Sequence, residues 1–196
     1  MKMHLLFLLI ASWVAGVGIP VQKTYSLSGN YAVRIHGTFS IHDWSETIGK
    51  VSGELVGTAN GDGSALVQSI RIVMQVRSIK GDMGSVMNNR TYKALKGDAD
   101  PEVTFLLTGP VELNRIGAGS KAVSVRGTLT LAGVTRAVVM SVISFTSAHG
   151  IMAVEGEQNI SMTDFGIRPP SALFGTMVAS PEITIYFKTD FTIQQK

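Results

Sequence analysis

Apolar residues recur at every second position through most of residues 31–193. That spacing belongs to extended strands with one buried face. Tyr31, Val33, Ile35, Gly37, Phe39 and Ile41 share one face, and Arg34, His36, Thr38 and Ser40 share the other. The pattern returns at Val51 and Leu55, at Ile70, Ile72, Met74 and Val76, and at Val103, Phe105 and Leu107. It continues at Val123, Val125, Leu129 and Leu131, at Met152, Val154, Ile160 and Met162, and at Ile183, Ile185, Phe187 and Phe191. Thr135 to Thr146 is apolar on both faces and is expected to be covered on both sides. Eight strands are predicted, near 31–41, 50–59, 66–77, 103–113, 121–132, 135–147, 151–163 and 182–193.

Turn residues punctuate them at Asn60-Gly61-Asp62-Gly63, Gly117-Ala118-Gly119-Ser120, Ala132-Gly133 and His149-Gly150. Several strands exceed the usual length of about five or six residues. Long antiparallel strands joined by short turns favour a sheet closed into a barrel. The prediction is an all-β chain, an eight-stranded antiparallel barrel.

Two segments depart from the alternation. Between the third and fourth strands, Met83, Val86, Met87, Ala94 and Leu95 fall at three- and four-residue spacing. This predicts a helix over about 83–96, with Asp82 as its cap and Gly97 at the left-handed stop position. Its apolar face would plug one barrel end, with Met87, Tyr92 and Leu95 also reaching a cavity. The second segment is a long apolar loop, about 164–181, holding Phe165, Ile167, Leu173, Phe174, Met177 and Val178. Long loops in compact domains are commonly lids or binding loops. Three prolines and two glycines there predict a defined path.

The chain opens Met1-Lys2-Met3-His4, followed by the apolar run Leu5 to Ala11 and small residues at Gly16 and Gly18. This is the layout of a secretory signal peptide over 1–18, cleaved near Gly18, and the run is short for a membrane span. A single domain over 19–196 follows, not membrane-spanning once the signal is removed. Zero cysteines exclude disulfides and thiolate metal sites. Export without disulfides fits the bacterial envelope. The 17 Lys+Arg and 14 Asp+Glu form no basic run or stripe, so nucleic acid is set aside as a partner.

His42-Asp43 invites a metal or catalytic reading, but a metal site wants three or four convergent ligands and the chain has four histidines in total. The expectation is a structural His–Asp contact that fixes the turn. Trp44 is expected to turn inward with its indole nitrogen hydrogen-bonded. No nucleophile elbow, phosphate loop or paired zinc-histidine motif occurs. Carboxylates are sparse and mostly on polar faces by parity, with no pair suited to acid–base work. The chain is read as a non-enzyme with no metal.

The order of His42-Asp43-Trp44, Met87-Asn88, Tyr92-Lys93-Ala94-Leu95, and Pro101 to Phe105 resembles the YceI-like family. The likeness continues through Val125 to Arg136 and ends with Met162 to Ile167, Pro169-Pro170, Phe174-Gly175 and the last strand. It implies a lipocalin-like barrel, exported to the periplasm, that holds a polyisoprenoid or similar lipid. His42, Asp43, Trp44, Asn88 and Asp164 then read as structural motif residues.

The implied ligand is non-covalent: a polyisoprenoid or an isoprenoid quinone held by apolar side chains. Expected to line the cavity are Val33, Ile35 and Phe39 of the first strand, Ile72 and Met74 of the third, and Phe105 and Leu107 of the fourth. Val125, Leu129, Val154, Met162, Ile185 and Phe187 of later strands join them, with Met87, Tyr92 and Leu95 of the helix and Phe165 and Phe174 of the loop. Gly37, Gly53, Gly57, Gly127 and Gly156 share the apolar parity, so they mark either room inside the barrel or bulges in its wall. The expected function is carrier or buffer of a long-chain lipid. The alternative is a structural or stress-related envelope barrel with a filled core. Homodimerisation is left open.

Overall fold

The computed structural model describes residues 21–40, 42–116, 121–172 and 177–194. The expected leader, Ile41, Leu173 and Phe174 lie outside the described residues. Among the described residues twelve strands form: β1 Lys23–Phe39, β2 Asp43–Ile48, β3 Val51–Ala59, β4 Ala65–Gln75, β5 Ile79–Gly81 and β6 Glu102–Leu107. They continue as β7 Val111–Leu113, β8 Val123–Leu131, β9 Val134–Ala148, β10 Ile151–Ser161, β11 Ser171–Ala172 and β12 Met177–Ile193, with one helix, α1 Gly84–Ala94.

The architecture is a closed eight-stranded antiparallel barrel. Its wall runs β12-β10-β9-β8-β6-β4-β3-β1, and β1 closes it by pairing with β12 from Tyr25↔Ile193 to Phe39↔Ala179. The shorter strands extend this wall. β1 pairs with β3 through its first residues and with β2 through Arg34 to Thr38, so β2 and β3 act as one strand broken at Gly49-Lys50. β5 prolongs β4 beyond a 3₁₀ turn at Val76–Ser78, and β7 prolongs β6 along the same neighbour.

Several expectations are corrected. The first strand starts at Lys23 rather than at 31, and 43–48 is a strand rather than a turn. The last strand begins at Met177, where Ser171 and Ala172 pair with Val178 and Met177, so the apolar loop is half hairpin. β9 is not covered on both sides: Val139 and Ile143 are exposed on its outer face. Ile143 sits at a register shift opposite Glu155 and Gly156, which lets both Val142 and Phe145 point inward.

The helix is shorter than predicted, and its cap residue is Met83 with no side-chain bond from Asp82. Lys96, at φ 52°, takes the left-handed position expected of Gly97. Gly97 is instead wedged against Val76, where a Cβ would come within 2.9 Å of Cγ1. Of the expected inner face, Met87, Ala94 and Leu95 pack against the core, while Met83 and Val86 are exposed.

Two core clusters fill the barrel. The one at the turn end holds Tyr25, Leu55, Phe145, Met152 and Phe191, all at most 2% exposed. The other surrounds Val33, Phe39, Val103, Phe105 and Leu129 and reaches Phe165 and Ile167 in the loop. Large side chains therefore seal one end, and α1 with the loop covers the other.

The apolar-parity glycines leave no open space. Trp44 lies over Gly37, where a Cβ would stand 2.5 Å from the indole, and Phe105 and Phe187 lie over Gly127 and Gly156 in the same way. At Gly53 and Gly57 the space is taken by Ile72 and by the Leu66 carbonyl. Missing side chains here let rings lie flat on the sheet, the aromatic cover that steadies glycines in barrels.

Candidate functional site

Inward parity on the barrel strands places apolar side chains around a two-lobed interior cavity. The lower lobe, about 90 Å³, touches every wall strand except β3. Of the expected lining, it gathers Val33, Ile72, Met74, Phe105, Val125, Leu129, Val154, Ile185 and Phe187. The upper lobe, about 70 Å³, lies beneath α1 and the loop and gathers Ile35, Leu95 and Met162. Met74, Leu129 and Ile185 border both lobes and form a waist between them.

The remaining expected residues border neither lobe. Phe39 and Phe165 are buried in the core around the upper lobe, and Leu107 packs against the lower cluster. The Tyr92 hydroxyl donates to the Ile79 carbonyl at 2.6 Å, which ties α1 to β5. Met87 borders a separate small void with Trp44 and Glu46. A wider depression of about 440 Å³ at the opposite end lies between Asn60, Asp62, Arg115 and His149 and shares no residue with either lobe.

The structural motif residues hold the upper rim, though not as expected. Phe39 N–H donates to the His42 carbonyl at 2.7 Å, and the His42 ring lies 5.3 Å from that of Phe39. Asp43 approaches His36 across β1 and β2 at 3.9 Å, in place of the expected contact between His42 and Asp43. Asn88 accepts from Gly81 N–H, fastening α1 to β5. Asp164 acts through its backbone carbonyl, which accepts from Arg136 Nε at 3.0 Å. The Trp44 indole nitrogen is buried and has no partner among the described residues, against the expectation that it would be hydrogen-bonded.

Sequence reasoning missed Glu46. In β2 it stands opposite Ile35, between Trp44 and Ile48 on the inner face, and is 6% exposed. Thr91 of α1 donates to its Oε1 at 2.7 Å. The signal was present: in Trp44-Ser45-Glu46-Thr47-Ile48 the odd-one-out at the inner parity is a carboxyl. Val138, Met140 and Val142 of β9 also line the lower lobe. They were missed because that strand is apolar on both faces.

Burial pushes the Glu46 carboxyl above its ordinary value of 4.5, and Asp82 adds to the rise while the Thr91 bond opposes it. Between pH 4.5 and that raised value, the folded chain keeps a proton the unfolded chain has lost. Stability from this group is therefore complete below pH 4.5 and declines as pH rises. Glu46→Gln keeps an acceptor for Thr91 and removes the decline. Thermal melts should show the variant matching the parent near pH 4 and exceeding it near pH 8. A constant difference across that range would contradict this.

Among the described residues no group of three or more His, Asp and Glu converges as a metal site. No described helix is long and apolar enough to cross a membrane. The cavity's chemistry is the burial of hydrocarbon, with a polar corner formed by Trp44, Glu46 and Thr91 at its covered end.

Comparison with known proteins gives a match between residues 21–191 and the YceI-like domain. The sequence matches no curated protein. Among solved structures, the chain is similar to Burkholderia cenocepacia BcnA at TM-score 0.62 and 18% identity, covering 82% of this chain and 95% of that one. It is similar to a polyisoprenoid binding domain from Saccharophagus degradans, implicated in plant cell wall breakdown, at TM-score 0.58 and 18% identity, covering 87% and 98%. A Campylobacter jejuni YCEI protein aligns at TM-score 0.52 and 14% identity, covering 77% and 85%. At these identities the likeness speaks to the fold.

Proposed function

This chain belongs to the YceI-like family, and from that premise we propose that it is a non-catalytic periplasmic carrier or buffer of a polyisoprenoid or related long-chain lipid. The observation that carries the reading is the closed barrel with an apolar interior running from the sealed turn end to the cover of α1 and the loop. A chain of 20 carbons buried there gains on the order of 16 kcal/mol gross, at roughly 0.8 kcal/mol per carbon group. Chain ordering and association entropy offset much of it. Retention with extractability is the expected balance. Export is part of the proposal and is supported by the charged-then-apolar pattern of residues 1–18. The binding domain named for the Saccharophagus degradans protein supports the ligand class.

A second reading has one observation in its favour. The lobes, at about 90 and 70 Å³, are smaller than the roughly 300–1,000 Å³ of pockets that hold drug-sized ligands. A filled, ligand-free barrel would look like this. The carrier reading therefore requires the interior to widen on loading, and the half-buried Ile72, Met140, Ile185 and Phe187 are the side chains placed to yield.

Purification from the native envelope, followed by solvent extraction and mass measurement, separates the two. Stoichiometric long-chain lipid supports the carrier. Absence of such lipid, together with no uptake of added isoprenoid quinone, would falsify it.

A further inference from the structure

α1 has two faces, and the barrel uses only one of them. Thr91, Ala94 and Leu95 border the upper lobe, and Met87 packs against the core. The opposite face carries Met83, the cap residue, with Val86, Arg90 and Lys93. Steps of three, four and three residues set these side chains in one stripe along the helix. All four are exposed, Val86 at 67% and Met83 at 40%.

The stripe continues onto the loop. The Arg90 guanidinium donates to the Ser171 carbonyl, and Ser171 pairs with Val178, which is 49% exposed. Three aliphatic side chains thus stand in water beside two cations on the outside of the cover. From Met83 to Gly97 the sequence holds three cations, Arg90, Lys93 and Lys96, and no acid. The exposed acids at the margins, Asp82 and Asp164, are matched by exposed Lys80 and Arg168. Single exposed aliphatic residues need no explanation, but a group of them rimmed by polar residues marks a contact surface.

We propose that this outer face of α1 and the β11–β12 hairpin docks on an anionic lipid surface. Met83, Val86 and Val178 enter the acyl boundary, and Arg90 and Lys93 meet the lipid phosphates. The docking concerns the outside of the cover, and it stands whether the interior holds a ligand or is filled.

Charge and shape select this partner. A helical face of aliphatic and cationic side chains without acids suits the headgroup region of an anionic membrane. A protein partner would take its anchors in a well-packed pocket. Val86, Arg90 and Lys93 border neither lobe, nor the small void beside Trp44 and Glu46. A lipid phase yields around a projecting side chain and needs no pocket.

The chain has no cysteine, so Val86→Cys gives one attachment point for an environment-sensitive fluorophore. Ile151→Cys, at a residue 39% exposed beside the turn at the other end, gives the control. The protein is purified from the native envelope as the cell processes it, so whatever residues 1–20 contribute is common to every variant. Vesicles are phosphatidylcholine alone, or phosphatidylcholine with an equal part of phosphatidylglycerol. The label at position 86 should shift to the blue on the mixed vesicles, and the label at position 151 should not. Co-sedimentation should be roughly tenfold stronger with mixed than with neutral vesicles and should fall at high salt. Lys93→Gln should weaken binding to mixed vesicles about fivefold, the share of one cation at such a surface, and leave neutral vesicles unchanged. Val86→Ser should weaken binding to both about tenfold, through the lost burial of one aliphatic side chain. Both side chains are exposed, so neither change threatens the fold. Arg90 is spared because it also serves Ser171.

An unchanged label at position 86 on mixed vesicles, or equal shifts at both ends, would overturn the docking surface. So would binding that Lys93→Gln and Val86→Ser leave intact, which would assign attachment to residues 1–20. A shift at position 86 that grows with protein concentration in the absence of vesicles would also overturn it, by giving the stripe to a second copy of the chain. None of these outcomes bears on lipid extracted from the interior, so the docking surface and the carrier reading fail separately.

Discussion

Replacing Phe145 by alanine should destabilise the protein by about 3–5 kcal/mol and lower its melting temperature by roughly 6–20 °C for a domain of this size. Phe145 is 0% exposed in the cluster with Tyr25, Met152 and Phe191 that seals the turn end. Its backbone is bonded both ways to Ile116, so the surrounding wall is held and has little freedom to collapse into the void. Phe145 does not border the lower lobe. The variant should therefore lose stability while keeping its ligand preference at temperatures where it remains folded. Denaturant or thermal unfolding measures the first effect and probe binding the second. A loss below about 1 kcal/mol would mean that the sealed end repacks freely.

The second large effect is on binding. Met74 borders both lobes at the waist, and Met74→Trp would place an indole in the passage between them. Overpacking should cost about 1–3 kcal/mol of stability. Denying the tail a single five-carbon unit removes about 4 kcal/mol of gross burial at 0.8 kcal/mol per carbon group, which corresponds to roughly a thousandfold in affinity. Probes with one prenyl unit should bind as before, while four-unit probes should weaken by that factor. If length has no influence on the loss, the tail does not cross the waist.

Much of the barrel could be read from alternation alone, because a half-buried strand writes its inner face into the sequence at period two. Val33 and Ile35, Phe105, Val125 and Leu129 were legible for that reason, and the structure places each on the inner face. Parity fails where the ladder adds a residue. The shift near Ile143 makes Phe145 and Val142 both inward, and the one near Gln68 does the same for Val67 and Ile70. Neither is visible without the neighbouring strand. β2 was missed because its inner face reads Trp, Glu, Ile, and a carboxyl at the middle position hides a short strand. The helix was legible in part: Ala94 and Leu95 border the cavity as their spacing predicts, but Met83 and Val86, with the same spacing, face solvent, and Thr91 was not foreseen. Helical spacing shows that a face exists; which face is used depends on what lies beneath it.

The pairing of β1 with β12 has a consequence for the order of events during folding. Tyr25 meets Ile193 and Val33 meets Phe187, contacts between opposite ends of the described chain. Such closures carry a large loop entropy and are made slowly. Until β12 arrives, β1 and β10 each present an unpaired edge, the feature that invites association between chains. Those same open minutes or milliseconds are when the interior is widest. On the proposed lipid-binding function, a long lipid need not thread a finished barrel, since the last strand would close over one already lying in the trough.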